Sequence, residues 1–197
     1  GKYYEPEEPN PMLGFRGASR YIASPDVFMM ELEAIKQVRN KYGFKNIWLM
    51  IPFVRTPNEL IQVKKIIASA GLLRTPSFKL FMMAEIPSNV ILLDQFIDVG
   101  IDGISIGSND LTMLTLGLDR DNAEVAPTFN ELDPAVMWSL KRLVTKAHKR
   151  GIMAGICGQA PSNYPDLVVK LVKWGITSIS VSPDAIDRTR EIIACAE

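Results

Sequence analysis

The feature that most limits the fold of this chain is a repeated alternation of short apolar runs and longer segments with helical spacing. The short runs are rich in Ile, Val, Met and Phe and are apolar on both sides, which is typical of parallel strands buried on both faces. A further segment, 12–17, is interpreted as the end of an earlier strand. The runs predicted as strands are 47–54, 79–86, 103–106, 152–157 and 178–181.

The segments between these runs carry helix start and stop signals. Ser-Pro, Thr-Pro and Asp-Pro pairs open several of them and place proline in the first helical turn, where its missing N–H costs nothing. Glycine follows five of them, as is usual after a helix C-terminus. The predicted helices are 24–42, 56–70, 88–99, 133–150, 163–174 and 183–196.

Repeated β-α units predict an α/β fold with a parallel sheet. The sequence has neither a dinucleotide glycine fingerprint nor a Walker loop, so a (β/α)8 TIM-type barrel is favoured over an open doubly wound sheet. A full barrel usually needs ~250 residues, whereas this chain has 197. We therefore expect residues 1–197 to form the C-terminal part of an incomplete barrel, with about six units present and the first ones missing.

Charge and composition narrow the range of partners. Lys and Arg total 22, equal to Asp and Glu, and no basic run occurs, which argues against nucleic acid and anionic membrane surfaces as partners. No apolar stretch reaches the ~18 residues of a membrane span. Two cysteines without paired spacing fit a reducing, cytoplasmic location. An incomplete barrel would leave a sheet edge open, and open edges invite pairing, so a homodimer is expected.

Polar residues follow the apolar runs at the same relative position each time. In β/α barrels the chemistry gathers at the carboxyl ends of the strands. This coincidence predicts a functional site at that edge of the sheet. The residues concerned are Arg16, Arg55, Glu85, Ser108, Asn109, Asp110, Cys157, Gln159 and Asp184.

Glu85 and Asp110 are predicted to lie at the mouths of neighbouring strands. Two carboxylates so placed repel each other unless they share a proton or a cation. Such a pair, completed by substrate oxygens and water, suits Mg²⁺, which is rarely held by a full protein cage. The alternative is that each carboxylate caps the helix that follows it.

Arg16 lies close to Gly14 and Gly17, which allow the backbone to approach a ligand closely. Its guanidinium group could bind a carboxylate or a phosphate through two parallel hydrogen bonds. The alternative is an ordinary surface ion pair.

Cys157 has several interpretations. Free cysteines are most often small buried apolar residues, and a disulfide with Cys195 is also open from the sequence. Zinc is excluded because no partner stands at metal-ligand spacing. The functional interpretation is an acid/base thiol at the mouth of the barrel.

Five ordered motifs give the chain a family resemblance. Together they are similar to the C-terminal barrel of the phosphoenolpyruvate (PEP) synthase, or pyruvate, water dikinase, family. The resemblance covers nearly the whole chain. The sequence CGQ at 157–159 is closer to that of the synthases than to that of related dikinases. The motifs are NPMLGFRGASRY (10–21), MIPFVRTPNEL (50–60), MMAEIPSN (82–89), DGISIGSNDLTMLTLGLDRD (102–121) and GICGQAPSNYPDL (155–167).

The resemblance implies a role for each candidate residue. Glu85 and Asp110 would hold Mg²⁺, with Glu85 also close to the substrate. Arg16 would contact the phosphoryl or carboxylate end of PEP, and Cys157 would donate and accept the proton at C3. The residues implied to line the substrate are Arg16, Glu85, Gly107, Ser108, Asn109 and Asp110.

The resemblance also implies partners that this chain does not contain. The family converts ATP, pyruvate and water to AMP, PEP and phosphate through a phosphohistidine in a Thr-Ser-His motif and a nucleotide-grasp domain. Neither is found in this sequence, so the chain alone is not expected to complete the reaction. Two alternatives stay open: enzyme I of the sugar phosphotransferase system, and a non-catalytic barrel remnant that serves as a dimerisation module.

Overall fold

Five parallel strands form one sheet in the order β1-β2-β3-β4-β5, so every strand lies next to its neighbour in sequence. The structure, a computed structural model, describes residues 7–119 and 121–196. The α/β fold with a parallel sheet is therefore confirmed. The strands are β1 Leu49–Ile51, β2 Leu80–Ala84, β3 Gly103–Gly107, β4 Met153–Cys157 and β5 Ser178–Ile179.

Helices connect consecutive strands and flank the sheet. A short π-helix at Gln37–Lys41 continues α2, and 3-10 turns lie at Ala126–Thr128 and Pro183–Ala185. Within the ranges described, no helix is long and apolar enough to cross a membrane. The helices are α1 Ala18–Ala23, α2 Pro25–Lys36, α3 Pro57–Ser69, α4 Pro87–Ile91, α5 Leu93–Asp98, α6 Ser108–Leu116, α7 Pro134–Lys149, α8 Ala160–Asn163, α9 Pro165–Trp174 and α10 Ile186–Ala196.

The two faces of the sheet differ sharply. Alternate strand residues point to opposite faces, and one set is almost completely buried under the helices. Its members are Ile51, Met82, Ala84, Ile104, Ile106, Ala154 and Ile156. The opposite face is much less covered, since Met50 is 42% exposed and Phe81, Met83 and Cys157 are only half-buried. The helices therefore pack on one face, and the other lies open.

The five predicted strands are confirmed, four of them at shorter lengths and β3 one residue longer, but the interpretation of 12–17 is wrong. That segment consists of turns and bends, in which Leu13 and Gly14 donate backbone hydrogen bonds to Asn10 and Pro11. Five strands, rather than six, are therefore found in the described part of the chain. The predicted helix 88–99 is divided into α4 and α5 at Leu92.

The predicted helix start signals act as expected at two positions. Thr56 caps α3, since its hydroxyl accepts a hydrogen bond from the Glu59 backbone N–H at 3.2 Å. Asp133 caps α7 by accepting one from the Ala135 backbone N–H at 2.8 Å. Both caps satisfy donors that have no partner within the helix.

Candidate active site

The candidate site lies at the carboxyl edge of the sheet, where three strands end side by side. Glu85 follows β2 directly, Ser108 begins α6 immediately after β3, and Cys157 is the last residue of β4. Gly107 pairs with Cys157 in the β3–β4 register, so both stand at the same height in the sheet. Parallel strand pairing thus gathers residues that are far apart in sequence.

Glu85 is a buried carboxylate with a defined orientation. It is only 4% exposed, and its Oε1 accepts a hydrogen bond from the Phe53 backbone N–H at 2.8 Å. A Cβ on Gly107 would lie 2.5 Å from Glu85 Oε2, so glycine there leaves room for this carboxylate. Burial and the charge of Asp110 raise the pKa of Glu85, against the lowering effects of the Phe53 bond and Arg16.

Asn89 fixes the backbone that carries Glu85. Its side-chain oxygen accepts hydrogen bonds from the backbone N–H groups of Glu85 and Ile86, at 3.1 and 3.0 Å. Its amide nitrogen donates to the Val54 carbonyl at 2.7 Å. This fully buried side chain therefore ties the end of β2 to the segment that follows β1.

Replacing Asn89 with alanine is expected to lower the free energy of unfolding by about 3 kcal/mol, because two buried backbone groups and one part-buried one lose their partner. Urea unfolding measures the change. The exposed Asn58, replaced by alanine, is the matched control and is expected to change stability by less than about 0.5 kcal/mol. Equal stability of the two variants would contradict the role given to Asn89.

Phe53 has an unusual backbone conformation next to Glu85. Its φ of 47° lies in the left-handed region, which costs a non-glycine residue about 1–3 kcal/mol. Two guanidinium groups contact the buried ring, with the Arg16 and Arg55 Cζ atoms 4.2 and 4.8 Å from its centroid. Phe53 thus contacts Glu85 through its backbone and Arg16 through its ring.

Arg16 forms an ion pair with Asp110, with 3.1 Å between Arg16 Nη1 and Asp110 Oδ1. Asp110 lies in the first turn of α6. Arg55 holds the segment around Arg16 by donating to the Gly14 carbonyl at 2.6 Å and to the Ser19 hydroxyl at 3.0 Å. The structure therefore brings Arg16 and Asp110 together, although 94 residues separate them in sequence.

The helix-cap alternative does not fit the geometry of either carboxylate. Glu85 accepts from Phe53, and the residue that accepts from the backbone N–H groups before α4 is Asn89. Asp110 is already inside α6, whose first residue is Ser108. Helix capping therefore does not explain the position of either carboxylate.

The charge of the site fits a cation. Glu85 and Asp110 affect each other electrostatically, and Arg16 supplies one positive charge against their two negative charges when both are ionised. In the part of the chain that the structure describes, no group of three or more His, Cys, Asp or Glu side chains could hold a metal ion. Two carboxylates completed by water and substrate oxygens suit Mg²⁺ better than a metal that needs a full protein cage.

Cys157 has a half-buried thiol, and both Cys157 and Cys195 are free. The Ser105 hydroxyl donates to Cys157 Sγ at 3.7 Å, and the thiol donates to the Ile106 carbonyl at 3.5 Å. Burial is the largest cause that raises the pKa of Cys157, and the charges of Glu85 and Asp110 raise it further, against the lowering effect of Ser105. These effects favour the protonated thiol over the thiolate.

Comparison with known proteins decides the family. The family model described as PEP-utilising enzyme, PEP-binding domain, matches residues 2–197. The chain belongs to the PEP-utilising enzyme family. The resemblance inferred from the five sequence motifs is thereby confirmed.

Curated relatives of this PEP-utilising domain are considerably longer than the chain. A probable phosphoenolpyruvate synthase from Staphylothermus marinus is 51% identical over 100% of this chain and 24% of the relative. Phosphoenolpyruvate synthases from Pseudomonas aeruginosa and Escherichia coli are 52% and 47% identical, over 94% and 96% of this chain. The chain spans 24% of the length of each of these relatives.

A solved structure shares the fold of this PEP-utilising domain. The crystal structure of RipC from Yersinia pestis superposes with a TM-score of 0.54 over 84% of this chain and 70% of that chain. The two sequences are 13% identical, so this likeness concerns the fold alone.

The structure places the run Gly107, Ser108 and Asn109 of the PEP-utilising domain where β3 gives way to α6. Ser108 is fully buried, and its hydroxyl donates to Glu131 Oε1 at 2.7 Å. Glu131 itself is 4% exposed and was missed by the sequence analysis. It stands in the connection before α7, where nothing in the local pattern distinguishes it from a solvated loop residue.

The raised pKa of Cys157 leads to a measurable pH dependence. In a Cys195→Ser background, alkylation of Cys157 by iodoacetamide is expected to be slow at pH 7 and to accelerate above the ordinary thiol pKa, because the thiolate is the nucleophile. Mg²⁺ is expected to move the midpoint to lower pH, since a cation offsets the carboxylate charges. The Asp110→Asn variant is the control and is expected to lower the midpoint without Mg²⁺. Rapid alkylation at pH 7 that does not respond to either change would contradict this account.

Proposed function

We propose that this chain forms the pyruvate- and PEP-binding part of a phosphoenolpyruvate synthase. The observation that carries the proposal is the convergence of Glu85, Asp110, Arg16 and Cys157 at one edge of the sheet. The names of the relatives, which are about half identical in sequence, support the synthase over enzyme I. The overall reaction would be the conversion of ATP, pyruvate and water to AMP, PEP and phosphate.

The proposal includes a finer fold, in which the sheet is part of a (β/α)8 barrel. Consecutive strands are neighbours throughout, without the reversal of strand order that marks a doubly wound sheet. In residues 7–119 and 121–196, the helices cover one face of the sheet, as on the outside of a barrel, and the candidate site lies at the carboxyl ends of the strands. Further strands supplied by the rest of the enzyme would close the barrel over the open face.

Glu85 and Asp110 are the proposed ligands of Mg²⁺. When bound, the ion would stabilise negative charge on the substrate oxygen. Arg16 pairs with Asp110 here, and its side chain is 31% exposed, so it is accessible to an anionic ligand bound beside the metal. The first-turn N–H groups of α6, contributed by Ser108 and Asn109, add a partial positive charge on the same side.

Cys157 is the proposed acid/base group. In the forward direction its thiolate takes a proton from the methyl carbon of pyruvate. The electrons of that C–H bond form the C2=C3 double bond, and the carbonyl oxygen becomes an enolate oxygen that Arg16 can stabilise. The enolate oxygen attacks the phosphorus of the phosphohistidine, and the N–P bond breaks to give PEP. In the reverse direction the Cys157 thiol returns the proton to C3.

The remaining partners are predictions of the same proposal. The phosphohistidine domain and the nucleotide-grasp domain would belong to other parts of the enzyme. A homodimer and a cytoplasmic location stay predictions, and light scattering of the purified protein tests the first of them.

The test is an assay of the full-length enzyme with ATP, pyruvate and Mg²⁺. Pyruvate-dependent formation of PEP, AMP and phosphate is expected. Phosphoryl transfer from PEP to a carrier protein without any need for ATP would instead favour enzyme I. A full-length product that binds neither Mg²⁺ nor oxalate and forms a stable dimer would favour the non-catalytic module.

A further inference from the structure

Phe53 joins two groups of the candidate site that otherwise belong to different parts of the chain. Its backbone N–H donates to Glu85 Oε1 at 2.8 Å, and its ring lies 4.2 Å below the guanidinium carbon of Arg16. The residue is 3% exposed and belongs to neither a helix nor a strand. A single residue therefore contacts both a proposed metal ligand and a proposed substrate-binding arginine.

The left-handed conformation of Phe53 is what makes both contacts possible. An L-residue other than glycine adopts a φ of 47° only where its surroundings hold it there. Pro52, the preceding residue, accepts a hydrogen bond from the Ala18 backbone N–H at 3.0 Å. Backbone groups of Pro52 and Phe53 thus form hydrogen bonds to the segment that carries Arg16 and to Glu85, respectively.

The segment that carries Arg16 is fitted closely to Phe53. A Cβ on Gly17 would lie 2.5 Å from both the Phe53 Cβ and the Pro52 carbonyl oxygen, so only glycine allows this approach. Gly17 also has a positive φ, of 64°. Two independent features, the glycine contact and the ring contact, therefore place Arg16 against the same phenylalanine.

An aromatic ring under Arg16 has a physical advantage over an acidic partner. The ring attracts the guanidinium through its quadrupole and leaves the N–H donors at the edge of the group free to bind. An arginine held by an aromatic ring keeps its position when Asp110 binds another ligand instead of Arg16. The Arg16–Asp110 ion pair alone would not provide this.

We propose that Phe53 is a positioning residue that holds Arg16 over the substrate site through its ring and orients Glu85 through its backbone N–H. The inference rests on the proposed function, because it takes Arg16 to bind the substrate and Glu85 to bind the metal. Removal of the Phe53 ring should therefore weaken binding of the anionic ligand. Metal binding should stay intact in any variant that retains the backbone N–H at position 53, because that group bonds to Glu85.

The test measures binding of Mg²⁺, and of oxalate in the presence of Mg²⁺, by calorimetry on the full-length enzyme. Phe53→Leu removes the ring, and Phe53→Gly also removes it but adopts the positive φ without strain, which covers the case that the leucine variant does not fold. Both are expected to weaken oxalate binding about tenfold and to change Mg²⁺ binding less than about twofold. Phe53→Tyr restores the ring and is expected to restore oxalate binding. Phe44→Leu, at an exposed position, is the matched control.

A double-mutant cycle with Arg16→Met separates positioning from general packing. If the ring acts through Arg16, its removal is expected to cause no further loss of oxalate affinity in the Arg16→Met background. Losses that simply add would overturn the inference, as would native oxalate affinity in both ring-deletion variants. Failure of the unmodified enzyme to bind oxalate with Mg²⁺ would overturn the proposed function and this inference together.

Discussion

Replacing Cys157 with alanine in the full-length enzyme is expected to lower PEP formation from pyruvate by about a thousandfold, the range typical of losing a general acid/base group. The thiol stands at the carboxyl end of β4, level with Gly107, and is the proton carrier of the proposed mechanism. The variant should also lose the exchange of pyruvate methyl protons for deuterium, which NMR follows directly. Phosphorylation of the histidine by ATP should continue, because in the proposed mechanism that step does not involve Cys157.

Cys195→Ala is the matched control for this experiment. Cys195 is exposed on α10, away from the carboxyl edge of the sheet, and its replacement should leave PEP formation within about twofold of the native rate. PEP formation at a near-native rate by the Cys157→Ala variant would remove the thiol from the mechanism. Loss of histidine phosphorylation in that variant would point instead to a general structural defect.

Replacing either proposed metal ligand by its amide is expected to weaken Mg²⁺ binding by about a hundredfold or more. Loss of a residue that only supports a ligand already costs about 10–100-fold, so loss of a ligand's charge should cost at least as much. Glu85→Gln retains the oxygen that accepts from Phe53, and Asp110→Asn retains the oxygen that accepts from Arg16. The two variants therefore change charge with little change in shape. PEP formation should fall with metal affinity in both.

Asp94→Asn is the control for the charge change. Asp94 is an exposed carboxylate that pairs with Lys146 and Arg150 on the helical side of the protein. Its replacement is expected to leave Mg²⁺ affinity unchanged, since it lies outside the candidate site. Full Mg²⁺ affinity in both Glu85→Gln and Asp110→Asn would show that these carboxylates do not hold the metal.

The strands, and the edge of the sheet at which the candidate residues meet, could be predicted from the sequence because both depend on local patterns. An apolar run such as 152–157 favours a buried parallel strand, and polar residues that follow parallel strands meet at one edge of the sheet. Burial on both faces was expected, whereas one face of the sheet is only partly covered. The five strands of the sheet confirm this reasoning. The motifs added the family, which the comparison confirms.

The rest of the site depends on contacts between distant segments, which no local pattern records. The left-handed turn at Phe53 exists because Pro52 is bonded to Ala18 and the Phe53 N–H to Glu85. Glu131 is buried because the connection before α7 returns over the end of β3. From the sequence alone, Phe53 is predicted to lie at the end of a strand, and Glu131 has the pattern of a solvated loop residue. Segment 12–17 was misjudged for a related reason, since its apolar residues lie in turns rather than in the sheet.

The pairing of Gly107 with Cys157 has a consequence for how sequences of this kind can vary. The position of the Cys157 thiol along the sheet is set by backbone hydrogen bonds between β3 and β4. It does not depend on the length of the connection between α6 and α7. Insertions in the exposed stretch 121–124 should therefore be tolerated. A one-residue slip of β4 would instead turn Cys157 toward the helices. Insertions and deletions are thus expected in the connections at the edge of the domain and not in its strands.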